Sequence, residues 1–163
     1  MRLNTALYLL TIIPALSGPL IAQKQPAKPP FTLVLTSAEP KFSLGADVWA
    51  KIVWTNTSTI ALNDSLYRDT SSGRDYTYIL DFRDSDGHHV ATAPMPSTFS
   101  AEFGTLKPGD SMNDDINLNR IYHLDHPGDY TLQVSRRVPK ELGGGVIKSN
   151  KITITILPPP VPH

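Results

Sequence analysis

The sequence predicts an all-β fold, an immunoglobulin-like antiparallel β-sandwich with Greek-key connections and seven to nine strands. Three observations support this class. Apolar and polar residues alternate in short stretches, turn-forming residues separate these stretches at intervals of about ten residues, and no segment keeps a helical period. A jelly roll or an open barrel is the alternative architecture.

The clearest strand follows a turn over residues 125–128, Asp-His-Pro-Gly. Proline presets one backbone angle of such a turn, and glycine accepts a positive one. After the turn, Tyr130, Leu132 and Val134 alternate with polar residues, as expected of a strand with one buried face. We expect Tyr130 to bury its ring and return its hydroxyl to nearby backbone, as the tyrosine corner of a β-sandwich does.

The same alternation predicts other strands. We expect Trp54 to anchor the core, whereas Trp49 lies on the opposite side of its strand. The polar stretch 64–75 predicts a long loop or irregular edge, and the glycines at 143–145 predict a hairpin loop. Residues 88–92 and 98–103 are further strand candidates. The expected inward rows are Phe31, Leu33 and Leu35; Val48, Ala50, Ile52 and Trp54; Tyr76, Tyr78, Leu80 and Phe82; and Ile152, Ile154 and Ile156. A further row, Met112, Asp114, Ile116 and Leu118, leads towards the turn before Tyr130. Asp114 and Asp115 form a charged pair on a probable edge strand, where charge discourages edge pairing.

The two ends of the chain differ from the predicted sandwich at 31–157. Residues 1–22 combine one early positive charge, a short apolar run and small residues near a cleavage point, which indicates a secretory signal peptide. The alternative is an uncleaved anchor, although prolines and a glycine interrupt the apolar run. Residues 23–30 read as a proline-rich linker and residues 158–163 as a proline-rich tail. We therefore expect a secreted or periplasmic protein without a membrane span once the leader is removed.

Composition excludes several function classes. The chain has 15 basic and 15 acidic residues, so neither a nucleic-acid footprint nor a polybasic membrane patch is indicated. It has no cysteine, which removes disulfides and thiolate chemistry. No nucleophile elbow, phosphate-binding loop or cysteine nucleophile is present, so we expect neither an enzyme nor a cofactor.

Several short strings resemble bacterial secreted immunoglobulin-like modules. They are Trp54–Ser58, Phe82–Gly87, Leu106–Asp110, Tyr122–Leu124 and Pro127–Tyr130. Similar strings occur in BsuPI-type proteinase-inhibitor domains and in the non-catalytic N-terminal region of deuterolysin-like metalloproteases. The resemblance implies the sandwich over residues 31–157 and points to inhibition. The catalytic domain of those metalloproteases has no counterpart here, because the sequence contains no His-Glu-x-x-His.

Asp84 and Asp86 form the first candidate site. They belong to the string Asp-Ser-Asp-Gly, which resembles half of a calcium loop and is also a hairpin signal. The alternative interpretation is turn chemistry, in which Asp caps the turn and glycine takes the positive angle. His123 and His126, beside Asp125, form a second local cluster, because imidazole suits zinc or copper. Solvent-exposed histidines are the alternative there.

Two functions follow from these patterns. The first is an exported, non-enzymatic module that binds a protein partner, with protease inhibition as its sharpest form. The stretches 64–75 and 139–148 are the candidate inhibitory loops. The alternative is a sandwich that binds a small ligand, calcium or carbohydrate. The sequence assigns no oligomeric state.

Overall fold

The computed structural model describes residues 28–69, 77–94 and 99–159. The expected signal peptide 1–22 and most of the expected linker and tail therefore lie outside the described residues. Nine strands form the described part: β1 (Phe31–Ser37), β2 (Lys41–Ser43), β3 (Trp49–Asn56), β4 (Leu62–Asp69), β5 (Tyr78–Arg83), β6 (Phe99–Leu106), β7 (Ser111–Asn117), β8 (Gly128–Arg137) and β9 (Val146–Leu157).

Two sheets build the body of the molecule. One has the order β1-β3-β7, and the other has the order β2-β9-β8-β5. Every strand pair in them is antiparallel except β2 with β9, which is parallel. Buried side chains from both sheets form one core. The all-β class is thus confirmed and is consistent with a β-sandwich, whereas the immunoglobulin-like topology stays a prediction.

The predicted inward rows fill this core because alternate residues of a strand point to the same face. Trp54 is 2% exposed and packs edge-on against Phe31, with ring centroids 5.7 Å apart. The predicted core anchor is therefore confirmed. Trp49, from the opposite side of β3, is 42% exposed. The buried members of the rows are Phe31, Leu33, Leu35, Val48, Ala50, Ile52, Trp54, Tyr78, Phe82, Ile116, Leu118, Tyr130, Leu132, Val134, Ile154 and Ile156.

The predicted tyrosine corner is present. The Tyr130 hydroxyl donates a 2.8 Å hydrogen bond to the carbonyl of His126, and its ring stacks on Phe82 with centroids 5.6 Å apart. Burial raises the pKa of this hydroxyl, and the carboxylates of Asp125 and Asp84 raise it further. The corner fixes the turn over 125–128 against the start of β8.

The prediction of a loop over 64–75 is wrong for its first part. Residues 62–69 form β4, which pairs in antiparallel register with all of β6 in a separate two-stranded sheet. A polar composition is compatible with a strand when a neighbouring strand pairs its backbone groups, because β-propensity depends on context. Residues 70–76 of the predicted loop lie outside the described part of the chain.

A further expectation is corrected. Residues 88–92 do not form a strand, since only the isolated bridges of Arg83 with His89 and of Thr92 with Tyr122 occur there. The two described helices, each a single 3₁₀ turn (Leu118–Arg120 and Lys140–Leu142), are too short to cross a membrane.

Candidate functional site

A groove of about 790 Å³ lies where β3 and β8 end and β5 begins. We call it the Trp54 groove and define it by Trp54, Ile60, Ile79, Arg136, Arg137 and Leu142, which all line it. Its volume falls in the range of about 300–1,000 Å³ that is usual for ligand sites.

The inner part of the groove holds a stacked cation. The guanidinium carbon of Arg136 lies 4.3 Å from the ring centroid of Trp54 and 5.3 Å from that of Tyr78. Both distances are within reach of a cation–π attraction. Because Arg136 is buried, the attraction acts where water screens it little. The aromatic rings therefore hold the guanidinium in one place.

Tyr78 extends this arrangement into the core. Its hydroxyl donates a 2.8 Å hydrogen bond to Asp114 Oδ2, and both residues are buried. The sequence predicts that Asp114 and Asp115 form a charged pair on an edge strand. Asp115 does so and lies 3.8 Å from Lys51 Nζ, but Asp114 faces inward, because it shares the buried side of β7 with Ile116.

Trp54 also contributes an unsatisfied donor. Its Nε1 is buried and has no hydrogen-bond acceptor among the residues described here. An unmade hydrogen bond to a buried donor costs free energy, and such a group in a native structure calls for an explanation.

Apolar side chains stand at the mouth of the groove. Ile60 is 52% exposed and Ile79 is 47% exposed, although both are large aliphatic residues. A single exposed isoleucine is ordinary, but two that line one groove form a local apolar surface. The turn over 139–142 lies beside them, and Gly143 closes it with a φ of 103°. One predicted inhibitory loop, 139–148, therefore begins at the groove.

A second, polar cavity of about 580 Å³ lies between the turn at 84–87 and the turn at 125–129. Asp84, Asp86, His123 and His126 all line it. The structure thus brings together the two clusters that we singled out separately in the sequence. Backbone hydrogen bonds hold the turn at 84–87, and the Tyr130 hydroxyl holds the turn at 125–129 by donating to the carbonyl of His126.

Asp84 has a role in its own turn. Its Oδ1 accepts hydrogen bonds from the backbone amides of Asp86, at 3.0 Å, and of His88, at 2.9 Å. These bonds are the turn chemistry that is the alternative to a calcium site. Within residues 28–69, 77–94 and 99–159, no three His, Cys, Asp or Glu side chains are arranged to hold a metal ion. Calcium binding by Asp84 and Asp86 stays a hypothesis.

Sequence reasoning missed Arg136 and the groove. The inward row Tyr130, Leu132, Val134 continues to position 136, so the alternation carried a signal for a buried arginine. Nothing in the sequence indicated that this arginine meets Trp54, because the two residues lie on strands of different sheets.

No protein family description matches this chain, and no curated protein sequence is significantly similar to it. Among solved structures, a β-glucosidase from Erythrobacter marinus is similar with a TM-score of 0.43 and 13% identity; the match covers 78% of this chain and 15% of the glucosidase. The bacterial hydrophobin BslA is similar with a TM-score of 0.38 and 9% identity, over 80% of this chain and 96% of BslA. This chain therefore spans only a small part of the glucosidase.

Proposed function

We propose that this chain is an exported, non-enzymatic binding module that holds a protein partner at the Trp54 groove. The observation that carries the proposal is the exposure of Ile60 and Ile79 at the mouth of a groove whose inner part is the Arg136–Trp54 stack. Aromatic and arginine side chains in a desolvated pocket, with apolar side chains around them, are the usual composition of a binding hot spot.

The most specific version of this function is inhibition of a protease. The turn over 139–142 is exposed at the rim of the groove, except for the half-buried Leu142. A protease that contacted this turn would also meet the apolar side chains of Ile60 and Ile79. The sequence resemblance to BsuPI-type inhibitor domains supports the choice of proteases as the first partners to test.

The polar cavity favours a second candidate function, the binding of a small ligand. Carboxylates of Asp84 and Asp86 and imidazoles of His123 and His126 line it together. Such groups donate to and accept from sugar hydroxyls, and carboxylate oxygens suit calcium. A ligand that binds the folded state raises the melting temperature, so a thermal melt with calcium and a panel of glycans tests this candidate directly.

The partner-binding proposal is tested with a charge placed at the groove. The variant Ile79→Glu introduces a carboxylate at the rim, and Val34→Glu is its matched control. Val34 has the same 47% exposure, lies on β1 and does not line the groove. Inhibition constants are measured against serine, cysteine and metalloproteases, after a cooperative melt has shown that each variant is folded.

We expect the unmodified chain to inhibit at least one protease class and Ile79→Glu to weaken that inhibition about tenfold or more, which is about 1.4 kcal/mol. Val34→Glu should leave it within about twofold. If both variants lose inhibition equally, or if Ile79→Glu inhibits as well as the unmodified chain, the protease does not contact the Trp54 groove. If the unmodified chain inhibits no protease class, the proposal that it is a protease inhibitor is wrong.

A further inference from the structure

We infer that β6 pairs edge to edge with β6 of a second copy of this chain, so that two β4–β6 ribbons join into one four-stranded sheet. β6 contributes none of the residues that define the Trp54 groove, and the inference does not depend on the proposed function. Two observations carry it: the isolation of the ribbon and a local symmetry in the sequence of β6.

The ribbon formed by β4 and β6 is anchored in the core at one end. Leu62 and Leu106 pair at this end and are buried, whereas Asn63, Gly104 and Thr105, which come next, are exposed. No other described strand pairs with either side of the ribbon. A two-stranded ribbon alone is marginally stable in water, and its unpaired edges favour pairing with another strand. A third strand would therefore stabilise it.

β6 suits such pairing better than β4 does. Charged residues on an edge strand discourage pairing with another chain. β4 carries three of them, Asp64, Arg68 and Asp69, whereas β6 carries only Glu102. The N–H and C=O groups of alternate β6 residues point away from β4, as in any antiparallel pair, so a strand that lay beside β6 would continue the ladder.

The sequence of β6 favours a second copy as that strand. Residues 99–103 read Phe-Ser-Ala-Glu-Phe. A two-fold axis through Ala101 would therefore set Phe99 of each copy opposite Phe103 of the other. Aromatic residues at directly opposed positions stabilise an antiparallel pair. Such an axis also makes the contact self-complementary, as in most homodimers.

Charge and aromatic pairing select this register over its neighbours. With the axis at Ala101, Glu102 of each copy lies opposite Ser100 of the other. An axis at Glu102 would set the two glutamates directly opposite each other, and like charges in that arrangement destabilise a sheet. An axis at Ser100 would lose the two phenylalanine pairs.

Cysteine cross-linking tests this register, because the chain contains no cysteine of its own. In the inferred dimer, Ala101→Cys sets two thiols opposite each other at a Cα separation of about 4.5–5.5 Å, which a disulfide can span. Thr105→Cys is the matched control. It lies on the same strand and is exposed, but its counterpart would be about 27 Å away.

Each variant is checked for a cooperative melt and then incubated as the full chain with oxidised glutathione. Non-reducing gels and mass spectrometry measure the covalent dimer, and sedimentation velocity follows the association of the unmodified chain. We expect a weak dimer, with a dissociation constant of about 10 μM or above, because five residue pairs form a small interface. Ala101→Cys should give at least about ten times as much covalent dimer as Thr105→Cys, and reduction should reverse it.

Two further variants check the register independently. Ser100 and Glu102 face each other only across copies, so a mixture of Ser100→Cys and Glu102→Cys should cross-link, whereas each variant alone should do so poorly. Ser100→Glu places a like charge opposite Glu102 and should weaken the dimer about tenfold. Ser100→Lys should not weaken it.

The inference is wrong if the unmodified chain stays monomeric at every concentration, or if Ala101→Cys cross-links no more than Thr105→Cys. Efficient cross-linking of Leu66→Cys, in the middle of β4, would instead identify β4 as the pairing edge. If the amides of β6 become protected from hydrogen exchange only when a protease is bound, the partner supplies the third strand. That result would overturn self-pairing and leave partner binding in place.

Discussion

The side-chain amide of Asn150, in β9, forms two hydrogen bonds of 2.8 Å with the backbone of Leu35, in β1. The Leu35 N–H donates to Asn150 Oδ1, and Asn150 Nδ2 donates to the Leu35 carbonyl. The amide thus satisfies both backbone groups of one residue, as a neighbouring strand would. Because β1 and β9 belong to different sheets, this pair of bonds ties the two layers together.

A local irregularity places Asn150 for this role. The β8–β9 register shifts between Gln133 and Ser135, so an extra residue of β9 lies opposite Val134. The Val134 N–H donates to Ser149 Oγ, at 3.0 Å. A bulge of this kind redirects the following side chain, and here it directs the amide towards β1.

Replacing Asn150 tests the link between the sheets. We expect Asn150→Ala to lower the free energy of unfolding by about 2 kcal/mol, because two hydrogen bonds to part-buried backbone groups are lost. The control is Asn113→Ala, an exposed asparagine on β7, which should change it by less than about 0.5 kcal/mol. Urea denaturation measures both, and equal effects of the two variants would contradict a special role for Asn150.

The tyrosine corner predicts that the stability of the fold depends on pH. The pKa of the Tyr130 hydroxyl is raised above the usual 10.0 in the folded state, so the folded protein holds this proton more tightly than the unfolded chain does. The resulting stability is complete below about pH 10 and is lost as the pH rises through the raised pKa. Tyr130→Phe removes the hydroxyl and its 2.8 Å hydrogen bond to His126, at an expected cost of about 1 kcal/mol near pH 8.

The difference in unfolding free energy between the unmodified chain and Tyr130→Phe should therefore shrink above about pH 10. Comparing the two chains cancels the titration of the other tyrosines and of lysines. A difference that stays constant or grows as the pH rises would show that Tyr130 ionises at least as easily in the folded state as in the unfolded one, and it would contradict the raised pKa.

Substitutions at Asp84 and Asp86 distinguish a turn cap from a calcium site. If Asp84 only caps its turn, Asp84→Ala should lower the free energy of unfolding by about 1 kcal/mol, because two amides lose their acceptor. Asp84→Asn should restore most of it, since an amide oxygen also accepts. Asp86→Ala should have little effect. If calcium binds, a calcium-dependent rise in melting temperature should instead disappear in both alanine variants.

Because the Arg136 guanidinium packs on Trp54, we expect a lysine at position 136 to give a less stable fold. Arg136→Lys should lower the free energy of unfolding by about 1 kcal/mol, because an ammonium group lacks the planar face that packs on Trp54 at 4.3 Å. The next residue, Arg137, is exposed and provides the matched control, and Arg137→Lys should stay within about 0.5 kcal/mol. Equal effects in thermal or urea unfolding would show that the stack contributes no stability.

Much of the fold was predictable because its signals are local. The alternation of Phe31, Leu33 and Leu35, and of Tyr130, Leu132 and Val134, depends only on the period of a strand, and these residues are buried as expected. The corner at Tyr130 follows from a turn and a strand that adjoin in sequence. β4 was missed because its composition resembles a loop, and only its pairing with β6 makes it a strand.

The sequence by itself determined the all-β class, the inward rows of the main strands, the Trp54 anchor and the tyrosine corner, because each depends on residues a few positions apart. The tertiary structure decided which distant residues meet. It brought Arg136 over Trp54, Tyr78 onto Asp114 and Asn150 onto Leu35, and it placed the turns of Asp84 and His126 around one cavity. These contacts join strands and turns far apart in the chain, and strand periodicity contains no information about which of them become neighbours.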